Sequence, residues 1–126
     1  METFLKNYLP LLLWLVVIFS FSSVPGGVKN SSPDFWFYAE RKGAHIFEYF
    51  VLALLLMNLF RKYFSGKMLV VLSGLFSLVY AFSDEFHQSF VFGREGKISD
   101  VGIDSMGIIL GLSVVWIFLK KIKKAD

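Results

Sequence analysis

The chain has 126 residues, 56% of them hydrophobic, with 15 phenylalanines and a mean hydropathy of +0.61; a soluble domain this small lacks the polar surface to cover such a composition, so its apolar runs must face lipid. There is no cysteine, which excludes disulfides, thiolate catalysis and cysteine-based zinc or iron–sulfur sites. Much of the net charge of +3 sits in Lys120, Lys121, Lys123 and Lys124, and no aromatic-interleaved basic domain accompanies them, which argues against nucleic acid as a partner.

A first membrane span is predicted from about Tyr8 to Val24. Pro10 falls in its first turn, where a missing N–H costs little, and Ser22, Ser23, Pro25, Gly26 and Gly27 end it. A cleaved signal peptide is the rival reading. Against it, Glu2 offsets Lys6 ahead of the apolar run, and Phe21, Val24 and Pro25 make a poor cleavage site. Val28 to Pro33 reads as a polar loop, and Phe35, Trp36, Phe37 and Tyr38 form an aromatic group suited to the headgroup level. The second helix begins near Asp34 or Glu40, and its apolar part covers about 44–60, ending at Arg61 and Lys62. Ser65, Gly66 and Lys67 make a tight turn into a third span at about 68–86. Phe90 to Ser99, with Gly93, Arg94, Gly96 and Lys97, is a loop, and a fourth span covers about 101–119. At roughly 17–19 residues each, the spans are slightly short for a hydrocarbon core of about 30 Å, so their polar ends belong at the interface.

Lysine and arginine counts in short loops orient such a protein. Lys6, Arg61, Lys62, Lys67 and the four terminal lysines fall on one side; Lys29, Arg41, Lys42, Arg94 and Lys97 fall on the other. The expectation is a multi-pass protein of the bacterial cytoplasmic membrane with both termini cytoplasmic. The terminal lysines then mark topology and attract anionic headgroups.

That topology gathers the ionisable residues at the outer face. At about 100° per residue, Arg41, His45, Glu48 and Leu52 share a narrow stripe of the second helix, with Lys42 and Tyr49 beside it. Asp84, Glu85, His87 and Gln88 spread over a wide arc of the third, so some must face a cavity or a different neighbour. Asp100, Asp104, Gly107 and Gly111 share one face of the fourth. Gly107 and Gly111 are read as helix-packing residues, since a G-x-x-x-G lets a neighbouring backbone approach closely. Glu48, Asp84, Glu85, Asp100 and Asp104 outnumber Arg41, Lys42 and Arg94. The deficit calls for a divalent cation, for protons on His45 and His87, or for protonated carboxyls. Ionisable groups at membrane depth usually face a bundle interior and mark function.

In this arrangement the chain resembles the VanZ-like family of small bacterial membrane proteins. The resemblance is carried by Ser22-Ser23-Val24-Pro25, by Lys42-x-x-His45-x-x-Glu48-Tyr49, and by Asp84-Glu85-x-His87-Gln88 with Phe90. Gly93-Arg94 and Asp100-x-x-x-Asp104-x-x-Gly107-x-x-x-Gly111 complete the series. It implies a cell-envelope role, the founding member being linked to resistance to the glycopeptide antibiotic teicoplanin, and it implies no established reaction. The position of Asp104 is often Asn in the family, so an acid there adds a negative charge.

The fold expected is all-α: an integral membrane four-helix bundle, one domain over 1–126, with a polar pocket at the outer face. The candidate polar site is Lys42, His45, Glu48, Tyr49, Asp84, Glu85, His87, Gln88, Arg94, Asp100 and Asp104. His45, Glu48, Asp84 and His87 are the candidate metal ligands, because imidazole and carboxylate pairs at i, i+3 on facing helices can hold a divalent metal. A buried ion-pair network that fixes helix register and a polar ligand pocket without metal are the alternatives. Arg94 suits either a phosphate or a salt bridge to Asp100. The leading function is a VanZ-like envelope protein that binds or modifies a polar, lipid-linked cell-wall component at the outer leaflet, with the bilayer and a cell-wall precursor or other envelope component as partners. Non-enzymatic binding, a transport-accessory role or a structural membrane subunit is the competing class. No hydroxyl sits in a nucleophile motif, so any hydrolysis would use water activated by a carboxylate or metal.

Overall fold

The computed structural model describes residues 2–26 and 35–125. The loop read at Val28 to Pro33, with Lys29, and the helix start at Asp34 lie outside the described residues. Five helices and no strands occur among those described: α1 (Glu2–Asn7), α2 (Leu9–Ser22), α3 (Phe35–Phe60), α4 (Gly66–Gln88) and α5 (Ile98–Ala125). By length and composition, α3, α4 and α5 are each long and apolar enough to cross a membrane.

The helix α2 is apolar but has only 14 residues, about 21 Å of rise. It stops at Ser22, short of the expected Val24, because Pro25 disfavours helical backbone in the residue before it. At its other end the ladder runs on into α1: Tyr8 N–H bonds Phe4 O and Leu12 N–H bonds Tyr8 O, both at 2.9 Å. The helix α3 starts well before the apolar run at 44–60, so the aromatic group from Phe35 to Tyr38 and the cations Arg41 and Lys42 are helical. The reversal between α3 and α4 uses Gly66 at φ +59°, in the left-handed region that glycine enters without a Cβ penalty. The helix α5 starts at Ile98, shortening the expected loop, and extends past Leu119 into the terminal lysines.

The helix faces are inverted relative to a soluble protein. The buried stripe of α4 is Leu69, Ser73, Ser77, Ala81, Asp84, Glu85 and Gln88, mostly small or polar. Its exposed face carries Val71, Leu75, Phe76, Val79, Phe82 and Phe86. Small residues inside and large apolar ones outside suit a helix whose solvent is lipid. The closest packing is between α3 and α5. A Cβ on Gly107 would overlap Ile46 O, and one on Gly111 would lie 2.7 Å from Phe50 O and 2.8 Å from the Ala53 Cβ, so the two backbones meet along the G-x-x-x-G. The core joins Leu11 and Ile18 of α2, Tyr49, Leu52, Leu56 and Leu59 of α3, Ala81 of α4, and Val101 and Ile108 of α5. Two polar anchors dock α2 on this core: Trp14 Nε1–H donates to Glu48 O at 2.9 Å, and Tyr80 O–H to Leu15 O at 2.7 Å.

Candidate functional site

The end of α2, the first half of α3, the end of α4 and the start of α5 meet at one end of the molecule. Its centre is a contact across the α3–α5 seam. His45 Nδ1 lies 2.9 Å from Asp104 Oδ1, and with an ionised carboxylate the imidazole N–H is the donor. Asp104 is fully buried, because the glycine contact one and two turns below draws its helix against α3. Glu48, one turn on from His45, is also buried, and so is Tyr49 behind it.

The helix α4 supplies the opposite wall. Asp84, Glu85 and Gln88 are buried, and Gln88 is the hub. Its Nε2 donates to Asp84 Oδ2 at 3.2 Å and to Ser22 Oγ at 3.3 Å, while its Oε1 accepts from Arg94 Nη1 at 3.3 Å. Arg94 Nε also donates to Val24 O at 2.8 Å, and Nη2 to Phe21 O at 2.9 Å. A helix leaves its last carbonyls without intrahelical donors, and Pro25 has no N–H to offer. The planar guanidinium therefore caps α2 and ties the loop after α4 to it. Burial lowers the Arg94 pKa from its usual value and nearby Arg41 acts in the same direction, while Asp84, Glu48 and Glu85 oppose both. The guanidinium stays charged. Lys97 N–H donates to Glu85 Oε1, fastening the far end of the same loop. Its middle is held where Gly93, at φ +72°, meets Gly26 so closely that a Cβ on Gly26 would overlap Gly93 O.

His87 takes a different route from His45. Its ring stacks on Phe19, with centroids 4.4 Å apart, and its Nε2 lies 3.0 Å from Ser23 Oγ. The Ser23 hydroxyl already donates to Phe19 O at 2.7 Å, so Nε2–H of His87 is the donor and Ser23 accepts. The two histidines thus serve separate partners on different helices. Among the described residues, no group of three or more His, Asp or Glu side chains is placed to hold a metal ion.

The other predicted residues are more peripheral. Lys42 is exposed on α3, and Arg41 lies over the Phe37 ring, 5.6 Å from its centroid. Asp100 is half-buried in the first turn of α5. The Arg94–Asp100 salt bridge, one of the two readings of Arg94, does not form, because Arg94 is committed to the Phe21 and Val24 carbonyls and to Gln88. Among the described residues, Glu48, Asp84 and Glu85 have no base within salt-bridge reach. Asp84 Oδ1, Glu85 Oε2, Asp104 Oδ2 and Tyr49 Oη are buried without a hydrogen-bond partner among the described residues. A groove of about 340 Å³ opens beside Glu85 between α4 and α5, lined by Phe82, Phe86, Ile98 and Val101.

Sequence reasoning did not place Ser22, Ser23, Trp14 or Phe19 in the site. Ser22 and Ser23 stood within a recognised motif, but nothing local to α2 shows that they reach α4. The helix-end carbonyls ahead of Pro25 were the available signal, since they require a donor from elsewhere. No curated protein and no solved structure matches the chain. A family model described as VanZ/LLP1 matches residues 7–119, covering every element of the site, and the chain belongs to that family.

Proposed function

We propose that this protein is a four-span envelope protein that binds the polar head of a lipid-linked cell-wall component at the outer face of the cytoplasmic membrane. The fourth span is the continuous helical stretch from Glu2 to Ser22, about 31 Å long by rise per residue. Both termini are cytoplasmic, which puts the His45–Asp104 end outside. One observation carries the reading: Asp84, Glu85, Asp104 and Tyr49 each present a buried oxygen with no hydrogen-bond partner among the described residues, at one end of a lipid-facing helix assembly. Buried acceptors in apolar surroundings are costly unless a donor reaches them. A head rich in hydroxyl, amide or ammonium groups supplies such donors. The groove between α4 and α5 lets the attached chain remain in lipid while the head approaches Glu85. Binding by itself accounts for these features.

The test uses the full chain in nanodiscs, titrated with a polyprenyl-linked cell-wall precursor, together with teicoplanin susceptibility of cells producing it. Wild type should bind the precursor and lower susceptibility. Glu85→Gln and Asp104→Asn, if produced at wild-type levels, should weaken both. Binding by the variants that equals wild type would refute the assignment.

A further inference from the structure

The opposite end of the molecule carries a second groove, of about 280 Å³, between the start of α4 and the end of α5. Its floor is Val70, Val71 and Leu112, its rim is Lys67 and Ser113, and Trp116 forms one wall. Lys120 Nζ sits over the Trp116 ring, 5.0 Å from its centroid. The surrounding charge has a single sign. No Asp or Glu occurs from 61 to 83 or from 105 to 125, while Arg61, Lys62, Lys67, Lys120, Lys121, Lys123 and Lys124 all fall there.

We propose that this groove is a binding site for one anionic phospholipid, its phosphate held between Lys67 and Lys120 and an acyl chain laid along Val70, Val71 and Leu112. The chemistry matches at each level. Two ammonium groups at the rim attract a phosphate. An indole sits where apolar and polar layers meet, a position tryptophan favours in membrane proteins. Below it the groove is apolar and open to the side, which suits an acyl chain and gives a free phosphate ion nothing to gain. The proposal does not depend on the ligand proposed for the carboxylate end, nor on which face of the membrane each end occupies.

The experiment reads lipid contact at Trp116 directly. The full chain is reconstituted with acyl-brominated phosphatidylglycerol or phosphatidylcholine at equal mole fraction, and the fluorescence of W116F is subtracted from that of wild type. The Trp116 component should be quenched by the anionic lipid at a roughly fivefold lower mole fraction than by the zwitterionic one. Lys67→Gln combined with Lys120→Gln should abolish that preference. Lys67→Gln alone, which leaves the Trp116 contact intact, should reduce it. Lys123→Gln combined with Lys124→Gln removes the same charge outside the groove and should preserve it. Equal quenching by the two lipids overturns the proposal. So does an equal loss of preference in the Lys123/Lys124 variant, which would assign the effect to the diffuse field of the tail. Relief of quenching by millimolar inorganic phosphate would overturn the lipid assignment in favour of an ion site.

Discussion

The two ends of this molecule handle charge in opposite ways. At one end Glu48, Asp84, Glu85 and Asp104 are each under 10% exposed, with His45 the single base in ion contact with them among the described residues. At the other, Arg61, Lys62, Lys67 and the terminal lysines are all exposed, with Lys120 lying over the Trp116 ring. Exposed lysine heads keep their hydration and cost little there. Buried carboxylates give up hydration and must be repaid by neighbours or by a ligand. Several such acids add no stability of their own, which is why the function proposed above is placed at the carboxylate end and the lipid site at the lysine end.

The all-or-none way to break this comparison is topology. A cysteine-free chain allows single cysteines at Lys97 and Ser65 to be labelled with an impermeant maleimide in intact cells. Labelling is expected at Lys97→Cys only, with Ser65→Cys reacting after permeabilisation. The reverse pattern would move the carboxylates to the cytoplasmic face and remove the proposed ligand with them.

The next largest effect tests the seam that buries Asp104. Gly107→Leu drives a side chain into the α3 backbone and should cost about 3 kcal/mol or prevent folding altogether. Gly43→Ala and Gly102→Ala, where an added Cβ meets nothing within 4 Å, should instead be neutral or stabilising by up to about 1 kcal/mol. Thermal unfolding in detergent separates the two classes; similar midpoints for Gly107→Leu and Gly102→Ala would mean that the backbones do not meet there.

Removing one partner of the central contact should be smaller but still large. His45→Ala leaves Asp104 buried without its donor and should destabilise by about 2–4 kcal/mol. Combined with Asp104→Asn it should show a coupling of about 1–2 kcal/mol in a double-mutant cycle. Strict additivity would separate the two residues. Arg94→Lys keeps the charge but loses the fork, so it should cost about 1–2 kcal/mol and release the loop. Hydrogen exchange should rise in residues 89–97 well before it rises in α3. At the bottom of the scale, Lys62→Gln is expected to change stability by less than about 0.5 kcal/mol, as an exposed charge at the lysine end should.

How legible these features were differs with their range. Spacing alone put His45 and Glu48 on one stripe, and Asp104, Gly107 and Gly111 on another, because helix geometry fixes angular position within one element. The start of the second helix shows the limit: the sequence offered Asp34 or Glu40, because a stretch mixing aromatic and charged residues carries no single apolar period, and α3 takes in the aromatic group from Phe35 to Tyr38. Arg94 is clearer still. Its neighbourhood suggested Asp100, a few residues on at the start of the next helix, whereas its partners include carbonyls about seventy residues earlier.

By itself, then, the sequence determined the lipid-facing character, the helical class, the family motifs and the segregation of acids from lysines. These are properties of single segments, set by hydrophobicity, by 3.6-residue periodicity and by charge along the chain. The tertiary structure decided which groups meet. His45 bonds Asp104 because glycine lets α5 reach α3; His87 is drawn to Ser23 instead; and Arg94 closes the exposed end of α2. Each depends on how far two separate helices approach and turn toward one another. That is settled by the packing of both surfaces together, which neither segment encodes alone.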